Sequence, residues 1–436
     1  MEQRLRWQKI PKIWIAILLS SLLLLLSSCR LPTAFQVWPS QAASEVVHLT
    51  LWQGISPAAN REVFQRLVQQ FNAAHPRIEV ESLYVGQPDQ QIPKILTAVV
   101  GDAAPDLLWY VPTLTGQLVE LEALQPLDHW LTRSDTAAQI DPALFATMTL
   151  EGKTWSVPFA TNNAAVFYRP SLFEAAGVEV PQTWEALRQA AKQLTLDTDG
   201  DDRVDQQGIF LSLGKGEWTV FAWMPFVYSA NGYLNQGQQG DLVNPGTVAA
   251  LELGATLVQD GSALLSSPER GYDIDNFLAG KVAMQITGPW TLPQMAQAGI
   301  DFDVFPIPVK DQPAAVVGGE NLFLMKTTPE KTAAAYEFLD FILSEAFQLP
   351  WALETGYLPV NLAVRNSPDY QAFIAKNPTL EVFLKQMDWA KSRPVVPGYR
   401  YLSESFGRAI EATLLGAPPE SALEDAQAHL RLTLKG

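Results

Sequence analysis

Cysteine is nearly absent from this chain. Its one Cys, Cys29, cannot form an intrachain disulfide, so the fold must hold by core packing. A lone thiol also excludes a zinc-thiolate site. Histidine is scarce, and His48, His75, His129 and His429 form no metal-spaced cluster or recognisable triad. Basic residues are few: 30 Lys and Arg face 46 Asp and Glu, for a net charge of -16. That balance excludes nucleic acid as a partner, because its phosphates are bound through clustered Lys and Arg. It equally opposes attachment to anionic lipid by charge. No fixed-period repeat is present.

The basic residues that do occur are informative at the N-terminus. Arg4, Arg6, Lys9 and Lys12 precede an apolar block at 13–26, and small residues follow it. A basic start, a short apolar stretch and small residues describe an export signal. The block is short for a membrane-spanning helix, which needs about 20 apolar residues. Leu26-Ser27-Ser28-Cys29 resembles a bacterial lipobox, which implies signal removal and lipidation of Cys29 as the first mature residue. The bland alternative is a buried Cys beside a signal-anchor helix. Removing residues 1–28, with four bases and one acid, takes the net charge to -19. Residues 29–45, with Pro32, Pro39, Ser40 and Ser44, read as a tether.

The remainder is long enough for two lobes with real cores, and 47% hydrophobic residues can fill them. Val46 to Trp52 reads as a strand, 61–74 as a helix with Val63, Leu67 and Phe71 in one stripe, and 78–81 as a second strand. This β-α-β start predicts parallel strands in an α/β layer. Helices are also predicted at 92–100, 173–177, 184–194 and 331–343, with a short buried strand at 105–110. Thirteen Trp are present, many beside Gly, Pro or Asn, which points to a cleft that stacks flat apolar ligand faces.

An ordered set of motifs then appears. It runs through Leu49-Thr50-Leu51-Trp52, Pro105-Asp106-Leu107-Leu108-Trp109-Tyr110, Leu124-Gln125-Pro126-Leu127-Asp128 and Gly152-Lys153-Thr154-Trp155-Ser156-Val157-Pro158. Phe167-Tyr168-Arg169-Pro170, Pro181-Gln182-Thr183-Trp184, Met284-Gln285-Ile286-Thr287-Gly288-Pro289-Trp290, Val317-Gly318-Gly319-Glu320-Asn321 and Thr355-Gly356-Tyr357-Leu358-Pro359 follow. Together these resemble the extracellular solute-binding proteins of bacterial ABC sugar importers, the group that includes maltose-binding protein. The resemblance implies an α/β, two-lobed periplasmic-binding-protein fold of type II, with hinge crossovers and an interlobe ligand cleft. It places residues 46–157 and about 318–345 in the first lobe, and about 160–316 and 346–436 in the second.

By resemblance, Tyr110 and Trp290 stack on sugar, Trp52 edges the cleft and Asn162 makes a polar ligand contact. Each has a plainer reading: core packing for Trp52, a strand end for Tyr110. Gln53 and Ser56 follow in a loop that reaches hydroxyls, and Asn163 pairs with Asn162. Trp218 and Trp223 supply further aromatic surface, with Trp223 the more core-like. Glu320 and Asn321 follow a Gly-Gly pair, and Tyr357, Arg393 and Tyr399 complete the candidate site. Arg393 alternatively meets an anionic ligand.

Asp197, Asp199, Asp201 and Asp205 sit at alternate positions of a tight acidic loop. That pattern suits either a structural calcium ion or a solvated turn, with Asp202 in place of the glycine an EF-hand loop would carry. No cofactor is required. No motif places a glycosidase carboxylate pair, so an enzyme is not expected. The expected ligand is a di- or oligosaccharide or a glycosylated polyol, with a polyol phosphate such as glycerol 3-phosphate as runner-up. The implied partners are ABC permease subunits and, through Cys29, a membrane; the chain is expected to be an exported monomer on the periplasmic or outer cell face.

Overall fold

The computed structural model describes residues 46–268 and 273–434. The export signal, Cys29 and the tether lie outside the described residues. Val46–Gly436 forms one compact unit. It contains two five-stranded sheets. The first runs, edge to edge, Ile78–Tyr84, Val47–Gln53, Leu107–Tyr110, Asn321–Leu324 and Ser156–Pro158. Val47–Gln53 pairs in parallel with Ile78–Tyr84, Leu49 opposite Val80, as the β-α-β pattern predicts. Asn321–Leu324 enters antiparallel from late in the chain. The second sheet runs Ala263–Leu265, Gln207–Leu211, Val282–Thr287, Ala165–Tyr168 and Asp303–Phe305.

The connecting helix Ala58–Ala74 begins three residues before its predicted start, and its inward stripe is Phe64, Leu67, Val68 and Phe71. Val63 lies at the edge of that stripe, half-buried. The segment 346–355, assigned above to the second lobe, packs on the first as well. Phe347 and Trp351 of the Glu345–Thr355 helix lie with ring centroids 6.3 Å from Phe64. Ala352, on another face of the same helix, joins the Phe167, Tyr370 and Phe383 cluster of the other lobe. A helix apolar on two faces belongs to both cores, which a single cut in the sequence misassigns.

The chain crosses between sheets at 159–164 and returns at 318–320, and the crossing segments are stitched together. The Gly318 amide donates to the Asn162 carbonyl at 2.8 Å, and the Leu358 amide to the Thr161 carbonyl at 2.9 Å. Gly319, at φ +102°, is obligatory here, because a Cβ would stand 2.2 Å from the Ala160 carbonyl. Among the described residues, no helix is long and apolar enough to cross a membrane.

Asp106 ties the start of its strand to two neighbouring elements. It accepts from the Thr50 amide (2.9 Å), the Thr327 hydroxyl (2.8 Å) and Lys331 Nζ (2.9 Å). Burial opposes its ionisation, but the Thr50 amide, Lys331 and Thr327 outweigh that and hold its carboxyl below the usual carboxylate range. A carboxyl depressed in the folded state stabilises above its unfolded pKa, and that contribution fades as pH falls through the folded value. Asp106→Asn is therefore expected to cost about 2 kcal/mol at neutral pH. The gap from wild type should close towards pH 3 in paired urea titrations; a gap that persisted unchanged would refute it.

Candidate functional site

Both lobes and the crossovers contribute to one cleft. The first lobe provides Gly54, Ser56, Trp109 and Val111, and the second provides Glu217, Trp218, Phe221 and Trp290. Asn162, Gly319, Glu320, Tyr357 and Arg393 line it from the crossovers and the C-terminal segment, and Gln87 borders it. The cleft holds about 150 Å³. A second compartment of about 290 Å³ adjoins it through the shared residues Val111 and Glu217.

Trp290 is the aromatic centre. It packs against the cores of both lobes. Its ring lies 5.8 Å from Trp218, edge to face, and 6.3 Å from Tyr357. Gly288 makes this placement possible: a Cβ there would stand 1.9 Å from the indole. The predicted Gly-Pro turn is a short 3-10 turn at Pro289–Thr291.

The polar groups divide into two sets. Asn162 Oδ1, Glu320 Oε2 and Arg393 Nε are buried with no protein partner. The other set is a network around Glu217, in the first turn of the helix Glu217–Ser229. Arg393 Nη1 and the Tyr399 hydroxyl (2.8 Å) donate to its Oε1, and the Ser403 hydroxyl donates to its Oε2. The Arg393 guanidinium also covers the Phe221 ring at 4.9 Å.

Burial pushes the Glu320 carboxyl up to about 8, against the pull of Arg393. Glu320 is thus held mainly as the neutral acid at pH 7, able to donate as well as accept. A carboxyl raised in the folded state leaves stability intact below its unfolded pKa and lowers it as pH climbs to the folded value. Glu320→Gln is expected to melt above wild type at pH 9 and to converge with it near pH 5. Differential scanning calorimetry across that range checks the sign.

Seven of the sequence-predicted residues meet in the main cleft: Ser56, Asn162, Trp218, Trp290, Glu320, Tyr357 and Arg393. Tyr110 and Tyr399 line the adjoining compartment instead. Five are placed elsewhere. Asn163 clamps the crossover to the C-terminal helices, donating to the Phe383 carbonyl and accepting from Gln386, both at 2.8 Å. Asn321 is buried and donates to Ser156 Oγ and the Thr147 carbonyl. Trp223 is a core residue whose indole donates to the Ser212 carbonyl at 3.0 Å. Gln53 is fully buried and accepts from the Ile55 amide, shaping the loop that presents Gly54 and Ser56. Trp52 packs half-buried on the Leu108 and Tyr110 cluster.

Sequence reasoning missed Trp109, Val111, Phe221 and Gln87 as lining residues, and the candidate set holds Trp218 without its neighbour Glu217. The signal for Trp109 was available. Adjacent strand residues face opposite sides, so Trp109 and Tyr110 cannot serve the same compartment.

In the acidic loop, Asp197, Asp199 and Asp205 bring carboxylate oxygens within 4.8 Å of one another. Asp201 turns instead to the Arg203 amide at 2.9 Å. Asp197 accepts from the Gly200 and Asp202 amides, and Asp205 from both Thr198 groups. The Gly200 amide, chiefly, holds the Asp197 carboxyl below its usual range.

Two sheet-bearing lobes, crossovers stitched edge to edge and an aromatic cleft between them define a two-lobed ligand-binding protein. Residues 66–381 match the bacterial extracellular solute-binding proteins, and the chain belongs to that family. It is 23% identical to the maltotriose-binding protein of Pyrococcus abyssi, over 80% of this chain and 73% of that protein. It is 24% identical to the sn-glycerol-3-phosphate-binding periplasmic protein UgpB of Shigella dysenteriae, over 82% and 84%. Among solved structures, an ABC transporter solute-binding protein from Thermotoga lettingae bound with α-D-tagatose superposes with a TM-score of 0.79. That match has 25% identity and covers 89% of this chain and all of that one.

Proposed function

We propose that this chain is the substrate-binding lipoprotein of an ABC importer, which captures a sugar between its lobes and delivers it to the permease. The ligand class is a di- or oligosaccharide or a glycosylated polyol. One observation carries the reading. Aromatic faces at Trp290, Trp218 and Tyr357 lie in the same cleft as the unpartnered polar atoms of Asn162, Glu320 and Arg393. A sugar offers apolar C–H faces to the first set and hydroxyls, each both donor and acceptor, to the second. Lobe closure about the crossovers would enclose it.

Binding rather than hydrolysis is favoured by the state of Glu217. A glycosidase needs two carboxylates available to the scissile bond, and both oxygens of Glu217 are engaged by Arg393, Tyr399 and Ser403. Export to the periplasm or cell surface follows from the family, and lipidation of Cys29 would hold a monomeric binder near its permease. Cys29→Ser is expected to move the protein from the membrane fraction to the soluble fraction.

The substrate test is a thermal-shift screen of residues 46–436 against neutral sugars, glycosylated polyols and polyol phosphates, since a ligand stabilises in proportion to ln(1 + [L]/Kd). A shift with neutral compounds supports the reading. A shift with phosphates alone would establish the second reading, a polyol phosphate, which the glycerol-3-phosphate-binding relative favours.

A further inference from the structure

The ionisable groups lining the main cleft are Glu217, Glu320, Arg393 and the Tyr357 phenol. Arg393 is thus the single cationic side chain of that lining, and it is committed: its Nη1 donates to Glu217, its guanidinium lies over Phe221, and its side chain is 4% exposed. Tyr399 and Ser403 orient the same carboxylate from the helix Tyr399–Leu414, so the pair is fixed from two sides. A phosphate ester needs a cation whose charge is not already paired, because a phosphate dianion is costly to desolvate without a counter-charge. A neutral hydroxyl needs only a donor or an acceptor, and Arg393 Nε, with no protein partner, is such a donor.

The geometry points to Glu217 as the charge filter of the cleft: by holding Arg393 in an internal ion pair, it admits uncharged polyhydroxyl ligands and turns away phosphate esters. This deepens, and rests on, the sugar-binding reading. Glu217 then binds no substrate of its own; it determines what Arg393 offers. Glu320 faces the same cleft and enters the same balance, since its neutral acid form leaves the Glu217–Arg393 pair as a closed account of charge.

Glu217→Gln tests this. The amide carbonyl keeps the hydrogen bonds from Arg393 and Tyr399, and its NH2 donates to Ser403 Oγ, a hydroxyl that accepts equally well. Arg393 is left uncompensated. Because Glu320 would then ionise more readily beside it, the double variant Glu217→Gln/Glu320→Gln is the sharper form.

The measurement is calorimetric titration of the full chain in detergent with maltotriose, trehalose and glucosylglycerol, and with glycerol 3-phosphate and glucose 6-phosphate. Wild type is expected to bind a neutral compound and neither phosphate. The variants should bind a phosphate at least tenfold more tightly than wild type, the scale of one charge-assisted hydrogen bond, and added salt should weaken that binding. A folded variant that gains no phosphate affinity overturns the charge filter while leaving sugar binding intact. Wild type that binds phosphates and no neutral compound overturns the sugar reading itself. If the glutamine variants do not fold, Glu217→Asp, which withdraws the carboxylate by one methylene, should show a smaller gain in the same direction; no gain there overturns the proposal.

Discussion

Trp290→Ala is expected to weaken sugar binding about 30- to 150-fold, a loss of about 2–3 kcal/mol. The magnitude follows from position. An aromatic platform at the rim contributes little, whereas one at the centre of a desolvated patch dominates. Trp290 touches the cores of both lobes and stands edge to face with Trp218. Removing it deletes the stacking surface and leaves Trp218 and Tyr357 without the ring that both contact. The indole is only partly buried, so the protein should stay folded, and the loss should appear chiefly in the dissociation rate. Gly288→Ala should reproduce much of the effect while keeping the indole, because the new methyl occupies its place. The check is titration with whichever neutral ligand the thermal screen identifies. Affinity within threefold of wild type for Trp290→Ala would remove this residue from the site.

The contrast between Trp290 and the five displaced candidates shows what was legible in the sequence. Period-two and period-four patterns report which face of an element is buried, so the parallel opening strands and the Ala58–Ala74 helix could be read directly. The order of motifs carried the two-lobed architecture. Gly288-Pro289-Trp290 was legible as cleft lining because the turn chemistry is local: the room for the indole comes from Gly288, two residues away. Asn163 and Asn321 failed for the opposite reason. An Asn paired with another, as Asn163 is, or one just after a Gly-Gly pair, as Asn321 is, looks like a ligand contact, but their partners Gln386, Phe383 and Ser156 are distant in sequence. The same holds for Glu217, whose meaning depends on Arg393, 176 positions away. Local signals expose aromatics and turns; a buried polar side chain is interpretable only once its partner is known.

The Glu217–Arg393 pair is also a sensitive point for stability. Their side chains are 14% and 4% exposed, so the weak energetics of surface ion pairs do not apply. Arg393→Met is expected to destabilise the fold by about 3–5 kcal/mol, because it strands a buried carboxylate that Tyr399 and Ser403 solvate only in part. The matched double variant Glu217→Gln/Arg393→Met removes both charges, keeps side chains of similar size and should recover most of the loss. A buried pair replaced as a unit is often neutral, whereas one broken by halves is not. Chemical denaturation of wild type, both single variants and the double variant closes the thermodynamic cycle, with an expected coupling of about 2–3 kcal/mol. Additive effects would mean the two side chains do not act as one unit. The pair's retention would then owe nothing to its mutual contact, and the charge filter built on that contact would fall with it.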